Sequence, residues 1–159
     1  NLEGKIAWRD KLQVQAGLTA QNSRYKEART WSDEGDVEAT RKMFRTPDFY
    51  GYCSASYNPI KRMQLSLTGT YTGSMLIEHH AGFIDSNKSV ETPDFWDLNF
   101  KIAYDFKVYS SFSLQLNAGV QNMLNSFQKD FDSGADRDSG YIYGPTLPRS
   151  FFLGIKLNY

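Results

Sequence analysis

The chain has 159 residues, of which 18 are basic and 18 acidic, and its formal net charge is therefore zero. This balance leaves no basic surface of the kind that nucleic-acid-binding proteins carry, which excludes nucleic acid as a partner. A mean hydropathy of -0.54, with no apolar run near the length of about 20 residues that a spanning helix needs, excludes a membrane protein built of helices. Transmembrane β-strands remain open, because their signal is alternation rather than mean hydropathy.

Alternation of apolar and polar residues indicates seven strands along the chain. We predict them at about 2–9, 12–25, 48–58, 62–74, 94–106, 112–122 and 149–159. They have roughly the 9 to 11 residues that a tilted strand needs to cross a bilayer. In the clearest one, apolar or aromatic residues stand at every even position from Trp96 to Phe106. Between 64 and 72 the other face holds only Gln, Ser and Thr, which suits a water-filled lumen.

The connections between the predicted strands alternate in length. Tight turns at 9–11, 58–62 and 107–111 alternate with long polar loops at about 26–47, 75–93 and 123–148. Outer-membrane barrels have this layout, with short periplasmic turns and longer extracellular loops. We therefore predict an all-β fold, an antiparallel transmembrane β-barrel. In the first long loop, residues 22–31 could also continue the second strand, and residues 33–43 could form a short helical turn.

The predicted strand count is odd, whereas single-chain barrels of this class have even counts. A free edge in lipid would leave unpaired backbone groups that each cost several kcal/mol. The seven strands are therefore expected to be the C-terminal part of a larger barrel whose other strands precede Asn1. The closing strand carries an unbroken apolar row for the lipid: Phe151, Leu153, Ile155, Leu157 and Tyr159.

Aromatic residues cluster near both ends of the predicted strands, where amphipathic rings are favoured at membrane interfaces. The predicted inner girdle consists of Trp8, Tyr57, Phe106, Tyr109, Phe112 and Tyr159. The predicted outer girdle consists of Phe49, Tyr71, Phe95, Trp96 and Phe151.

Several motifs occur in a specific order toward the end of the chain. The run Gly140-Tyr141-Ile142-Tyr143-Gly144-Pro145, followed by Leu147-Pro148-Arg149 and the last strand, resembles the C-terminus of TonB-dependent outer-membrane receptors. The similarity is greatest to the ferric-siderophore and cobalamin receptor group of the Bacteroides lineage. Five further segments also resemble that group: Asn58-Pro59, Gly69 to Gly73, His80-Ala81-Gly82, Thr92 to Phe95 and Val120 to Asn125. The resemblance covers essentially the whole chain.

The resemblance implies a 22-stranded transporter with a plugged lumen in the bacterial outer membrane, of which this chain would supply the last seven strands and three extracellular loops. It implies import of a scarce chelate, a ferric siderophore, haem or cobalamin. The plug domain would lie outside this chain. The implied partners are the rest of the receptor, the TonB complex acting through the plug, outer-membrane lipid and the barrel-assembly machinery. That machinery would recognise the terminal row from Phe151 to Tyr159.

Two other functions compete with this one. A SusC-like glycan importer that works with a surface lipoprotein has the same architecture, but its terminal strand pattern lacks the Tyr-Gly-Pro and Pro-Arg elements present here. A soluble all-β ligand-binding module would pack the apolar face against a second sheet. Such a module would not need loops that alternate in length, and more Lys and Glu would be expected on its polar face.

The candidate ligand-binding residues lie in the predicted extracellular loops and are His79, His80, Asp130, Asp132, Arg137, Tyr141 and Tyr143. Four aspartates stand between residues 130 and 138, and oxygen ligands at alternate positions of the chain are what Ca²⁺ prefers. An EF-hand, however, would require Glu at the position of Tyr141. A solvated loop, with local pairing of Arg137, is therefore favoured over a metal site. Adjacent histidines on an extended chain point to opposite faces, so at most one of them faces a shared site.

No nucleophile–base pair, nucleotide-binding loop or zinc motif is present in the sequence. The sequence therefore predicts no catalysis, no metal and no cofactor.

Overall fold

The computed structural model describes residues 1–109 and 112–158. It contains strands β1 Leu2–Trp8, β2 Leu12–Ala20, β3 Arg24–Arg29, β4 Thr40–Lys42, β5 Phe49–Tyr57, β6 Met63–Thr72, β7 Leu76–His79, β8 Lys88–Glu91, β9 Phe95–Tyr109, β10 Phe112–Gln121 and β11 Ser150–Asn158. Two predicted features extend beyond the described residues. They are the terminal row at Tyr159 and the third predicted turn at residues 110 and 111. Within the described ranges, no helix has the length and apolar character needed to span a membrane.

Seven strands form one antiparallel sheet in the order β1-β2-β5-β6-β9-β10-β11. Each strand pairs with the next one of the sheet along the chain, as in a meander. This confirms the prediction of an all-β, antiparallel fold. In the described part of the chain the sheet is open, and β1 and β11 are its two edges.

The pairing register aligns apolar residues of all seven strands on one face. One complete row across the sheet is Ile6, Val14, Ala55, Leu67, Phe100, Val120 and Phe151. The neighbouring row on the opposite face contains Lys5, Gln15, Ser54, Thr68 and Asn99. Because a shift of one residue in any pairing would move a whole strand's apolar set to the other face, the agreement across six pairings fixes the register.

The apolar face is not covered within the described residues. Leu153 is 79% exposed, Ile155 is 67% exposed and Trp96 is 53% exposed. Of the described hydrophobic side chains, only Ile77, Phe95, Ala103 and Tyr141 are buried. Three of these four lie at or beyond the end of the sheet that carries the long connections, so the interior of this structure is in its loops and not on its apolar sheet face.

Three residues of the predicted outer girdle lie side by side on the apolar face. The ring centroids of Phe49 and Tyr71 are 5.7 Å apart, and those of Tyr71 and Trp96 are 4.5 Å apart. The prediction that Phe95 belongs to this girdle is wrong. It precedes Trp96 on an extended strand, so it lies on the opposite face, where it is buried and its ring centroid is 5.9 Å from that of Tyr143.

The long connections contain regular structure that the alternation did not predict. The predicted strand 12–25 ends at Ala20. Gln21 N still donates to Asp48 O (2.8 Å), and the chain then leaves the sheet. The chain re-enters a strand at Arg24, in a separate two-stranded sheet of β3 and β4. The helical turn considered for residues 33–43 does not form, and Thr40–Lys42 is extended. A second small sheet pairs β7 with β8.

Candidate functional site

The three long connections pack against one another at one end of the sheet, and we call residues 21–48, 73–94 and 122–149 together the cap. Trp31 Nε1 donates to Ser89 Oγ (3.0 Å), which joins the first connection to the second. Lys42 Nζ lies 2.8 Å from Glu91 Oε1 in a further link between them. The small hairpins are therefore parts of one assembly rather than separate loops.

A buried amide holds the first connection against the second. Asn87 is 8% exposed, and its Nδ2 donates to Ser32 Oγ and to Glu34 Oε2, each at 3.1 Å. Asp36 Oδ2 accepts a hydrogen bond from Asn87 N (2.9 Å). The hydrogen bond from Ser32 Oγ, outweighing partial desolvation, lowers the pKa of the Asp36 carboxyl. Local sequence gave no signal for this junction, because its members are ordinary loop residues until the fold brings them together.

His79 joins the second connection to the third. Its Nε2 lies 2.9 Å and 3.0 Å from the two carboxylate oxygens of Asp132, whose side chain is only 3% exposed. The imidazole stacks on the Tyr141 ring with centroids 3.5 Å apart and an interplanar angle of 11°. Three of the seven candidate residues therefore form one buried cluster, which we call the His79 cluster.

Asp130 extends this cluster through two phenols. It accepts hydrogen bonds from Tyr141 Oη (2.9 Å) and Tyr143 Oη (2.6 Å). Desolvation alone would raise the pKa of Asp130, but several hydrogen bonds, those from the Tyr143 and Tyr141 phenols foremost, together lower that pKa. Desolvation, reinforced by the Asp130 charge, raises the pKa of Tyr141 to about 12 and raises that of Tyr143 as well. The carboxylate and both neutral phenols are thus the stable protonation states near pH 7.

Two residues that the sequence did not single out hold the Tyr141–Tyr143 segment in place. Gln128 is 1% exposed, its Nε2 donates to Tyr141 O (3.0 Å) and its Oε1 accepts from Tyr143 N (3.0 Å). Arg45 donates from Nη2 to Gly140 O (2.8 Å) and from Nη1 to Ile142 O (3.3 Å). Both side chains act on backbone groups, and such contacts leave no pattern in a single sequence.

His80 and Arg137 lie apart from the His79 cluster. His80 is exposed, its backbone N donates to Asp138 Oδ2 (2.9 Å), and its ring meets Trp31 edge-on with centroids 4.7 Å apart. Arg137 Nη1 donates locally to Gly134 O (3.0 Å). Across residues 1–109 and 112–158, no three His, Cys, Asp or Glu side chains are grouped so that they could hold a metal ion.

Comparisons with protein-family models, curated proteins and solved structures return no match. The ligand-binding roles predicted for the seven loop residues remain predictions. In the cap, His79, Asp132 and Tyr141 are engaged with one another, which is an arrangement that fixes loop conformation.

The second notable site is a cavity of about 560 Å³ on the polar face of the sheet. Its floor comes from strands β6, β9, β10 and β11, and its roof is the cap segment Pro145–Pro148. The lining includes Thr68, Asp97, Asn99, Lys101, Gln121 and Phe152. None of these residues was a candidate in the sequence, because each is an ordinary member of an alternating strand.

Acidification is expected to loosen the cap through Asp130. Because the folded pKa of Asp130 lies below its unfolded value near 4, its contribution to stability is fully present above about pH 4 and is lost as the pH falls through the folded pKa. Near-UV circular dichroism of the tyrosines, recorded from pH 6 to pH 2, measures this loss. The Asp130→Asn variant keeps an oxygen acceptor but does not titrate, so part of the acid transition should disappear. Superimposable transitions of the two proteins would contradict this role.

Proposed function

We propose that the seven-stranded sheet is part of the wall of an outer-membrane β-barrel and that the cap lies at its extracellular rim. The observation that carries this proposal is the unbroken apolar face, aligned in register over seven strands and exposed. The opposite face is mainly polar, with Ser, Thr, Asn and Gln beside charged residues such as Lys5, Asp97 and Lys101. Barrel walls have this division, with lipid outside and water inside.

The energy of the apolar face favours a hydrocarbon environment. A fully exposed Leu, Ile or Phe forgoes about 1.5–3 kcal/mol relative to a buried one, and Leu2, Ile6, Phe151, Leu153 and Ile155 are each at least 67% exposed. Contiguous exposed apolar surfaces of this kind indicate an interaction site. Hydrocarbon would remove the whole face from water without requiring a second protein layer.

The open edges indicate that the proposed wall continues. β1 and β11 each have one unpaired edge in the described part of the chain, and in lipid such an edge would leave backbone N–H and C=O groups without partners. Further strands, from the same protein, would pair with both edges. The proposal is a larger barrel, of which 22 strands is the count implied by the family resemblance.

The orientation follows from the connections. The turns at 9–11 and 58–62 lie at one end of the sheet, and the three connections that form the cap lie at the other. Barrels of the outer membrane have short periplasmic turns and long extracellular loops. We therefore place the cap, with the His79 cluster, on the cell surface.

The transport role rests on the resemblance of the Gly140–Pro145 and Leu147–Arg149 segments to TonB-dependent receptors. Tyr141 is buried in the His79 cluster, and Leu147 and Pro148 line the polar cavity, so these segments connect the cap to the lumenal face. The proposed activity is TonB-dependent import of a ferric siderophore, haem or cobalamin, with a glycan importer as the alternative cargo class. Loss of uptake on depletion of TonB would support it.

Localisation and heat-modifiability test the barrel. The intact protein should be recovered from purified outer membranes of bacterial cells that express it. Its band should shift on an SDS gel between unheated and boiled samples, since folded barrels resist SDS. Mass spectrometry of tryptic peptides identifies the band. Recovery in the soluble fraction without a heat-dependent shift would overturn the proposal and favour a soluble module whose second sheet covers the apolar face.

A further inference from the structure

The polar cavity is bounded by a fixed roof. Gln128 N donates to Pro145 O (2.9 Å), and Asn122 Nδ2 donates to Leu147 O (3.0 Å). Arg149 N donates to Asn125 Oδ1 (2.9 Å) just after the roof segment. These bonds hold the roof at a defined distance from the sheet, so the space beneath it is preformed. At about 560 Å³ it lies within the range of roughly 300–1,000 Å³ typical of small-molecule sites.

One carboxylate oxygen that lines this cavity has no partner. Asp97 Oδ1 is shielded from solvent, and in the described part of the chain nothing donates a hydrogen bond to it. Shielded polar atoms without a partner are rare in native proteins, which sets this carboxylate apart from the other polar groups of the sheet. The other oxygen of this carboxylate, Oδ2, is not shielded and accepts no hydrogen bond within residues 1–109 and 112–158, so a hydroxyl or amine in the cavity can donate to it.

Other polar groups around the cavity have unused capacity. Asn99 Oδ1 accepts from Asn122 N (2.9 Å), and Gln121 Oε1 accepts from Ser150 Oγ (3.3 Å). The amide nitrogens of Asn99 and Gln121 make no hydrogen bond within residues 1–109 and 112–158. These amide nitrogens and the Lys101 ammonium are hydrogen-bond donors, and the Asp97 carboxylate is an acceptor. The lining therefore offers donors and an acceptor side by side.

An aromatic ring forms one wall. Phe152 is 36% exposed on a face that is otherwise mainly polar. Its ring lies against the bare backbone of Gly119, where an added Cβ would be 2.5 Å from Phe152 Cζ. The glycine thus allows the ring to lie close to the strand. A flat apolar ring beside amides and a carboxylate complements a molecule with an apolar face and a polar rim.

We propose that this cavity binds a sugar-like, polyhydroxylated ring. Hydroxyl groups both donate and accept, so they can satisfy Asp97 and the Asn99 and Gln121 amides at once. The ring C–H face packs on Phe152. The place of this site on an import path rests on the proposed function, whereas binding itself does not.

Binding of maltose to the intact protein tests the site. The protein is purified in a detergent without a sugar headgroup, and binding is followed by saturation-transfer difference NMR. Asp97→Asn should weaken binding about tenfold, since a charged acceptor is replaced by a neutral one. Phe152→Ala should weaken it by a similar factor, and Phe152→Trp should restore it. Asp105→Asn is the matched control, because Asp105 shares the strand and face of Asp97 but lies outside this cavity.

The outcomes separate the two proposals. Saturable maltose binding that is about tenfold weaker in Asp97→Asn and Phe152→Ala but unchanged in Asp105→Asn supports the site. No saturation, or equal saturation in all variants, overturns it even if the protein proves to be a heat-modifiable outer-membrane barrel. A soluble protein that binds maltose through Asp97 and Phe152 would uphold the site and overturn the barrel.

Discussion

Replacing Leu67 with arginine is expected to prevent stable insertion of the sheet into a bilayer. Leu67 lies at the middle of β6, in the apolar row between Ala55 and Phe100. In the proposed barrel this position faces the centre of the hydrocarbon, where an arginine costs about 2–4 kcal/mol. Few substitutions on this face would cost more, because positions nearer either rim allow the guanidinium to reach water.

Thr68→Arg provides the matched control for this change. Thr68 is the next residue of the same strand, is exposed and lies on the polar face. Both variants of the intact protein are folded into lipid vesicles, and the folded fraction is read from the heat-dependent gel shift across a urea titration. We expect a lower midpoint for Leu67→Arg and a nearly unchanged one for Thr68→Arg. Equal midpoints, or a larger loss for Thr68→Arg, would contradict the assignment of the lipid face.

Replacing His79 with alanine is expected to open the cap. The substitution leaves the Asp132 carboxylate, which is 3% exposed, with a hydrogen bond from Asp138 N but without the imidazole. It also removes the ring stacked on Tyr141 at 3.5 Å. Loss of a hydrogen-bond donor to a buried carboxylate costs about 1–3 kcal/mol, a large share of what stabilises a loop assembly. His80→Ala is the control, because that neighbouring imidazole is exposed.

Hydrogen exchange measured by mass spectrometry reports this opening. Peptides from residues 76–91 and 122–149 should exchange faster in His79→Ala, whereas peptides from the sheet should not change. The double variant His79→Ala/Asp132→Ala should be less affected than the sum of the two single variants, because the buried carboxylate is gone as well. Unchanged exchange in His79→Ala, or the same increase in His80→Ala, would show that the cluster does not hold the cap.

The sheet could be predicted because its signal is local. From Met63 to Thr72 and from Trp96 to Phe106 the residue types alternate with period two, and each strand shows its two faces without reference to its neighbours. The same rule predicts the face of Phe95. The predicted place of Phe95 in the outer girdle is wrong, because alternation puts Phe95 and Trp96 on opposite faces of β9 and an aromatic ring can lie on either face.

The cap could not be predicted in the same way. β7 and β8 have four residues each, which is too short for alternation to distinguish a strand from a polar loop. Their stability comes from contacts with the other two connections. His79 and Asp132 were both candidates by residue type, but they are 53 positions apart, and only the fold brings them together. Gln128 and Arg45 bind backbone groups, for which no residue pattern is required.

In the proposed barrel, one face of the sheet meets hydrocarbon and the other meets water. Spin labels placed singly along β6, from Met63 to Thr68, in a Cys53→Ser background of the intact protein in vesicles, test it most directly. We predict that labels at 63, 65 and 67 are accessible to oxygen and that labels at 64, 66 and 68 are accessible to a water-soluble nickel chelate. Labels at 63, 65 and 67 that are immobile and shielded from both reagents would contradict the account, because a second protein layer would then cover the apolar face.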